Sequence, residues 1–143
     1  MEPRPLSTDL RRSGEVTWAW VPPHLAIAWH ARLVERFGGA PGVRDVALLE
    51  GALGRPRNHA VYAPDVTLEH LAALYGVGIA KAHAFVDGNK RIAFAVMVAF
   101  LKAHGRSLDT SESEATAVML DVAIGTVDEP VLEQWLRAHC RQD

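Results

Sequence analysis

One short stretch gathers a histidine, an aspartate, an asparagine and two cations: His83-Ala84-Phe85-Val86-Asp87-Gly88-Asn89-Lys90-Arg91. It opens directly onto residues 92–101, which carry no polar side chain. A helix apolar on every side lies at the centre of its domain. A bilayer would need roughly 20 such residues, so this run is expected to be a core helix. It should begin near Asn89 and end before Gly105, with Lys102 and His104 in its last turn. The first amides of such a helix have no intrahelical partner and carry partial positive charge. Gly88 allows a sharp turn and a close approach by a ligand. Lys90 and Arg91 are unfavourable at a bare helix N-terminus and become favourable once an anion sits there; phosphate fits best, with Asn89 as a further donor. Asp87, one residue before this nest, is placed to hold a Mg²⁺ that bridges phosphate oxygens. His83 ends the preceding helix. Histidine is the side chain that titrates near neutrality, which makes His83 the candidate general base. Phe85 is the expected anchor of the loop.

Each of these residues has a plainer reading. A histidine at a helix end is usually structural, Asp87 could be an N-cap, and Lys90 and Arg91 could be a solvated face. A single phosphate-handling site accounts for all of them together. Other sites are excluded. The chain has no Gly-x-x-x-x-Gly-Lys-Ser/Thr loop, no protein-kinase signature set and no paired Cys/His arrangement for zinc.

The 143 residues are expected to form a single domain, with 1–14 loosely ordered. About half are apolar (49%) and the net charge is −2, so neither nucleic acid nor an anionic membrane is indicated as a partner. The single cysteine, Cys140, can form no internal disulfide. With no visible signal peptide, this points to the cytoplasm.

The elements that must position the stretch are helical. Val16, Trp18 and Trp20 alternate in a short extended segment that Pro22 and Pro23 stop. Its tryptophans are expected to pack on the helical body. Residues 24–37 read as a helix with Leu25, Ala28, Trp29, Leu33 and Phe37 near one face, and His30 as a surface or boundary histidine. Asp45 caps a short helix 46–53 that Gly54 ends. Arg55, Arg57, Asn58, His59 and Tyr62 then form an irregular polar connection. Thr67 caps a helix reaching His83, in which Gly76 and Gly78 mark close helix contact. Ser111 and Glu114 make a capping box for a helix with Val118, Leu120, Val122 and Ile124 as its apolar positions. Asp128-Glu129-Pro130 starts the last helix, docked by Val131, Leu132, Trp135 and Leu136. The fold class is all-α: a bundle of about six helices around one buried central helix, with a short extended N-terminal segment.

The stretch resembles the signature of the Fic/Doc superfamily, in the form of its Doc ("death on curing") branch. The resemblance also rests on Phe37-Gly38-Gly39, Gly42-Val43-Arg44-Asp45, Leu48-Leu49-Glu50-Gly51-Ala52-Leu53-Gly54-Arg55-Pro56, Phe100-Leu101 and Trp135-Leu136. It spans roughly residues 21–137 and implies the Fic fold. It further implies a toxin of a toxin–antitoxin pair that transfers the γ-phosphate of ATP, with Mg²⁺, to a Ser or Thr hydroxyl of elongation factor Tu and so blocks translation. His83 would be catalytic, Gly88, Asn89, Lys90 and Arg91 would bind the nucleotide phosphates, and Asp87 would hold the metal. The neutralising partner would be a Phd-type antitoxin. On the same resemblance, the 55–62 connection would be a flap over the site. Its plainer reading is a solvated loop. Fic proteins of the other branch transfer AMP. Where they carry Gly this chain has Lys90, and where they carry a second Arg it has Phe94. Many members have Asn, Pro and Thr where this chain has Ala82, Ala84 and Ile92. AMP transfer, and a catalytically silent Fic-fold binding module, are the alternatives.

Overall fold

The computed structural model describes residues 11–12 and 15–143, with side chains from Thr17 onward. The expected looseness of 1–14 lies outside the described residues except for Arg11–Arg12, a two-residue strand (β1) that pairs antiparallel with β2, Glu15–Val16. Six helices follow among the described residues: α1 Pro23–Phe37, α2 Val46–Tyr62, α3 Leu68–Ala82, α4 Asn89–Ala103, α5 Glu112–Ile124 and α6 Glu129–His139. The last helices flank a small antiparallel pair, β3 Arg106–Leu108 with β4 Cys140–Gln142, which local sequence pattern did not reveal. The fold is the expected all-α bundle.

Helix α4 is its axis. Ile92, Ala93, Val96, Met97, Phe100 and Leu101 are all fully buried, and none of 92–101 is exposed. Helix α3 lies along it, and Gly76 is what lets the two approach. A Cβ at Gly76 would run into Met97 Sδ and stand 3.1 Å from Leu132 of α6. Gly78 faces α2 more loosely, 3.6 Å from the Ala52 carbonyl for the same added atom.

Helix α2 departs from expectation. It does not stop at Gly54 but continues through Pro56 to Tyr62. Proline inside a helix costs about 3 kcal/mol or more, and Gly about 1 kcal/mol relative to Ala. Against that, Leu49, Ala52, Leu53 and Pro56 recur at helical spacing and are all buried. Fully burying each leucine contributes about 1.5–3 kcal/mol, enough to offset the breakers. The positions 55–62 are therefore neither an irregular connection nor a flap.

Three apolar faces also differ in detail. In α1 the buried residues are Ala26, Trp29 and His30, whereas Ala28 is exposed and Phe37 is half exposed. In α5, Val118, Met119 and Val122 are buried, while Leu120 and Ile124 face outward. In α6, Leu132 and Leu136 are buried, whereas Val131, expected to help dock it, is exposed. The expected caps fall in place: Asp45, Thr67 and Ser111 each accept from the first turn of their helix, and Glu114 completes the Ser111 box. Asp128 caps α6 in the same way.

The N-terminal segment straps the end of α4 remote from Asn89. Trp18 and Trp20 stack on Phe100 with ring centroids 6.3 and 5.9 Å away. The amides of Ala19 and Val21 donate to His104 Nε2 and to the Tyr75 hydroxyl, at 3.2 and 3.0 Å. Burial pushes the Tyr75 phenol up to about 12. No helix among the described residues is long and apolar enough to cross a membrane.

The two glycines of α3 should respond oppositely to the same substitution. Gly76→Ala overpacks the α3–α4 contact and is expected to lower unfolding free energy by about 1–3 kcal/mol. Gly78→Ala meets ordinary contact and should raise it by up to about 1 kcal/mol through helix propensity. Urea denaturation of both variants reads the signs directly; equal effects would contradict this packing.

Candidate active site

The chain leaves α3 at His83 and enters α4 at Asn89, so every candidate residue falls in one tight connection between the two most buried helices. Two residues anchor it. Phe85 is buried, and its ring stacks on His30 of α1 with centroids 4.0 Å apart. Asn89 turns its side chain back on the same residue. Its Oδ1 accepts from Phe85 N at 3.1 Å, and its Nδ2 donates to Phe85 O at 3.0 Å. The Asn89 amide thus shapes the loop, leaving one Nδ2 hydrogen and its backbone N–H for other partners.

Segment 38–45, between α1 and α2, runs alongside as a second layer. Val43 and Phe85 form an antiparallel bridge. Val86 N donates to Gly42 O at 3.1 Å, and Arg44 N donates to Ala84 O at 2.7 Å. The segment lying against the loop is therefore 38–45, not 55–62. Arg55 instead pairs with Glu129 of α6.

Asp87 sits between the two layers. Its Oδ1 accepts from Gly88 N at 2.8 Å and its Oδ2 from Ala40 N at 3.2 Å. These bonds, first Gly88 and then Ala40, hold its carboxyl below the usual 3.8, with the charge of Arg91 adding to the effect. His30, read from sequence as a boundary residue, is buried, and its Nε2 lies 2.7 Å from the Asp87 carbonyl, where it can donate to it. Nothing local in the sequence marks this role, because it depends on how α1 crosses the loop.

The helix end itself is bare. Gly88 stands at the N-cap with φ 74° and offers no side-chain cap, and the first turn holds no acidic residue. The amides of Asn89, Lys90 and Arg91 have no carbonyl four residues back within the helix. Lys90 and Arg91 are exposed, and the Arg91 guanidinium lies over the Phe37 ring, 4.6 Å from its centroid. An uncapped helix start with two adjacent cations has electrostatics that favour a bound anion. Asp87 is exposed, ionised and built of hard oxygens. Both carboxylate oxygens retain acceptor capacity, which suits a Mg²⁺ shared with substrate phosphates.

His83 is the α3 C-cap and lies in the left-handed region, φ 51° and ψ 41°, the one non-glycine residue at positive φ among those described. Its side chain is exposed, and neither ring nitrogen has a hydrogen-bond partner among the described residues. The conformation costs about 1–2 kcal/mol. Arg44 opposes that cost, with Nε and Nη2 both donating to the His83 carbonyl, the former at 2.9 Å. Bonds from a charged donor contribute about 1.5–3 kcal/mol, less for exposed groups such as these.

A family model described as the Fic/DOC family matches residues 20–101. Over 85 residues the chain is 34% identical to "Protein kinase doc" of Escherichia phage P1, covering 59% of this chain and 68% of that protein. Over 96 residues it is 40% identical to "Toxin Doc" of Mycolicibacterium smegmatis, covering 64% of this chain and 73% of that protein. The fold, the signature loop and these matches together make this chain a member of the Fic/DOC family.

The Asp87 bonds set a pH dependence. Because the folded carboxyl titrates below its ordinary 3.8, its contribution to holding 38–45 on the loop is complete above that pH. It is lost as pH falls through the lowered native value. Amide NMR should show the Gly88 and Ala40 resonances titrating together with a midpoint under 3.8. Independent midpoints, or a shared one at or above that value, would contradict the shared carboxylate.

Proposed function

We propose that this chain is a Doc-type toxin that transfers the γ-phosphate of ATP to a Ser or Thr hydroxyl of a cytoplasmic protein, with elongation factor Tu as the target. The observation that carries the reading is the uncapped, doubly cationic start of a buried helix, placed one loop away from an exposed histidine. The names of the two relatives, a protein kinase and a toxin, support it.

In this reading the amides of Asn89, Lys90 and Arg91 and the two cations bind the ATP phosphates and take up the charge that develops during transfer. A ring nitrogen of His83 accepts the proton of the attacking hydroxyl. The hydroxyl oxygen bonds to the γ-phosphorus as the bond to the β-phosphate oxygen breaks, and ADP leaves. Asp87 would hold Mg²⁺, which would supply neutralisation of the phosphate charge. Gly88 keeps the backbone open to the phosphates, and His30 and Asn89 keep the loop in shape around them. Lys90 fills space that a glycine would leave free, which favours presentation of the terminal phosphate over the α-phosphate. A toxin of this kind requires a neutralising partner, for which the resemblance suggests a Phd-type antitoxin.

Purified protein, Mg²⁺ and a bacterial lysate are incubated with ATP labelled at the α or the γ position, with His83→Ala alongside. Label from γ alone on one band, lost in the variant and identified by mass as elongation factor Tu, is the expected result. Label from α would replace this reading with AMP transfer. Labelling that persists in His83→Ala would remove His83 from the mechanism.

A further inference from the structure

We propose that Arg44 is a positioning residue for His83: it locks the catalytic histidine in its left-handed conformation by gripping the chain immediately beyond it. The proposal deepens the reading above and rests on it for the catalytic role of His83.

Two successive carbonyls leave α3 without helical partners, and Arg44 reaches both. Its guanidinium donates two N–H bonds to the His83 carbonyl, and its backbone N–H donates to the Ala84 carbonyl at 2.7 Å. The Asp45 amide adds a second bond to the Ala84 carbonyl at 3.0 Å. Ala84 and Phe85 are buried behind these contacts, so the backbone on the far side of His83 is fixed. What remains free is rotation about the His83 backbone itself. With φ 51° and ψ 41°, its carbonyl and its Cα–Cβ bond are geometrically coupled, and holding the carbonyl holds the direction in which the imidazole leaves the chain. Left unheld, the residue has reason to relax toward the ordinary negative-φ regions. That would change the direction in which the ring leaves the chain.

The choice of side chain fits the task. Arginine presents a rigid fork whose donors can converge on one acceptor, whereas lysine offers a single rotatable point charge. Its positive charge also sits at the C-terminal end of α3, where the helix dipole favours a cation. Arg44 is itself well anchored. Asp45 caps α2 through the Leu48 amide at 3.0 Å, and the Val43–Phe85 bridge fixes the residue before it. The grip therefore passes from the start of α2 to the end of α3 across one residue.

The experiment compares wild type, Arg44→Gln and Arg44→Lys in the full chain, with His83→Ala as the inactive reference. Transfer of γ-label at varied ATP gives kcat and KM, and carbon NMR of His83 reports its Cα and carbonyl shifts. The expected result is a kcat about tenfold or more lower in Arg44→Gln, since small misplacement of a reacting group is expensive. KM for ATP should stay within about twofold, because ground-state binding is not what Arg44 supplies. The His83 shifts should move away from their left-handed values, and Arg44→Lys should fall between. A kcat within about twofold of wild type, or a rise in KM alone, overturns the proposal. So does a kcat loss with unmoved His83 shifts. If wild type transfers no label at all, the kinase reading fails separately. The shifts then decide the grip by themselves: moved, it stands; unmoved, it falls.

Discussion

Burial of the α4 face formed by Ile92, Ala93, Val96, Met97, Phe100 and Leu101 is the constraint from which the rest follows. Its opposite side, with Phe94, Ala95, Val98 and Ala99, is only partly covered, and its two ends have been given opposite treatment. The end near Phe100 is sealed, with Trp18 and Trp20 laid over it and His104 accepting the Ala19 amide. The end near Asn89 is left bare, without a side-chain cap and with Lys90 and Arg91 beside it. Four other helices receive a polar cap at their start. Helix α1, opened by Pro22 and Pro23, lacks one as well; at α4 the missing cap leaves backbone donors available at the loop.

Holding that bare end in shape falls to neighbours rather than to the loop alone. His30 reaches the Asp87 carbonyl from α1, Ala40 and Gly42 pair with the loop from the side, and Arg44 takes the His83 carbonyl from the start of α2. The loop carries the candidate residues, and the first two helices with their connection supply its geometry. A site assembled in this way tolerates left-handed backbone at His83 because the surroundings determine it from several directions at once.

Much of this could be read from the chain because it is local. The start of α4, the Ser111–Glu114 box, the start of α6 at Asp128-Glu129-Pro130 and the Asp45 and Thr67 caps are each decided by residues within a few positions of one another, and each was found in place. What was hidden depends on contacts across the sequence. Helix α2 overrides Gly54 and Pro56 because α3 covers the face formed by Leu49, Ala52, Leu53 and Pro56. The β3–β4 pair joins residues more than 30 positions apart. His30 looks ordinary until α1 is laid across the loop. Arg44 was legible as part of the Gly42-Val43-Arg44-Asp45 stretch, but that stretch gives no hint that its side chain ends on the carbonyl of His83. The residue types of the candidate site were thus visible, and the members that aim them were not.

The pairing of β3 with β4 has a consequence for how the molecule can be handled. Gln142 lies beside Arg106, just past the C-terminal end of α4. Helix α4 has 15 residues, so at 1.5 Å per residue about 22 Å of helix separates that point from Asn89. Polypeptide joined after β4, such as an affinity handle, a fluorophore or a surface tether, would emerge from the sealed pole of the molecule. The protein could then be immobilised with the 83–91 loop turned toward solution and toward an approaching macromolecule.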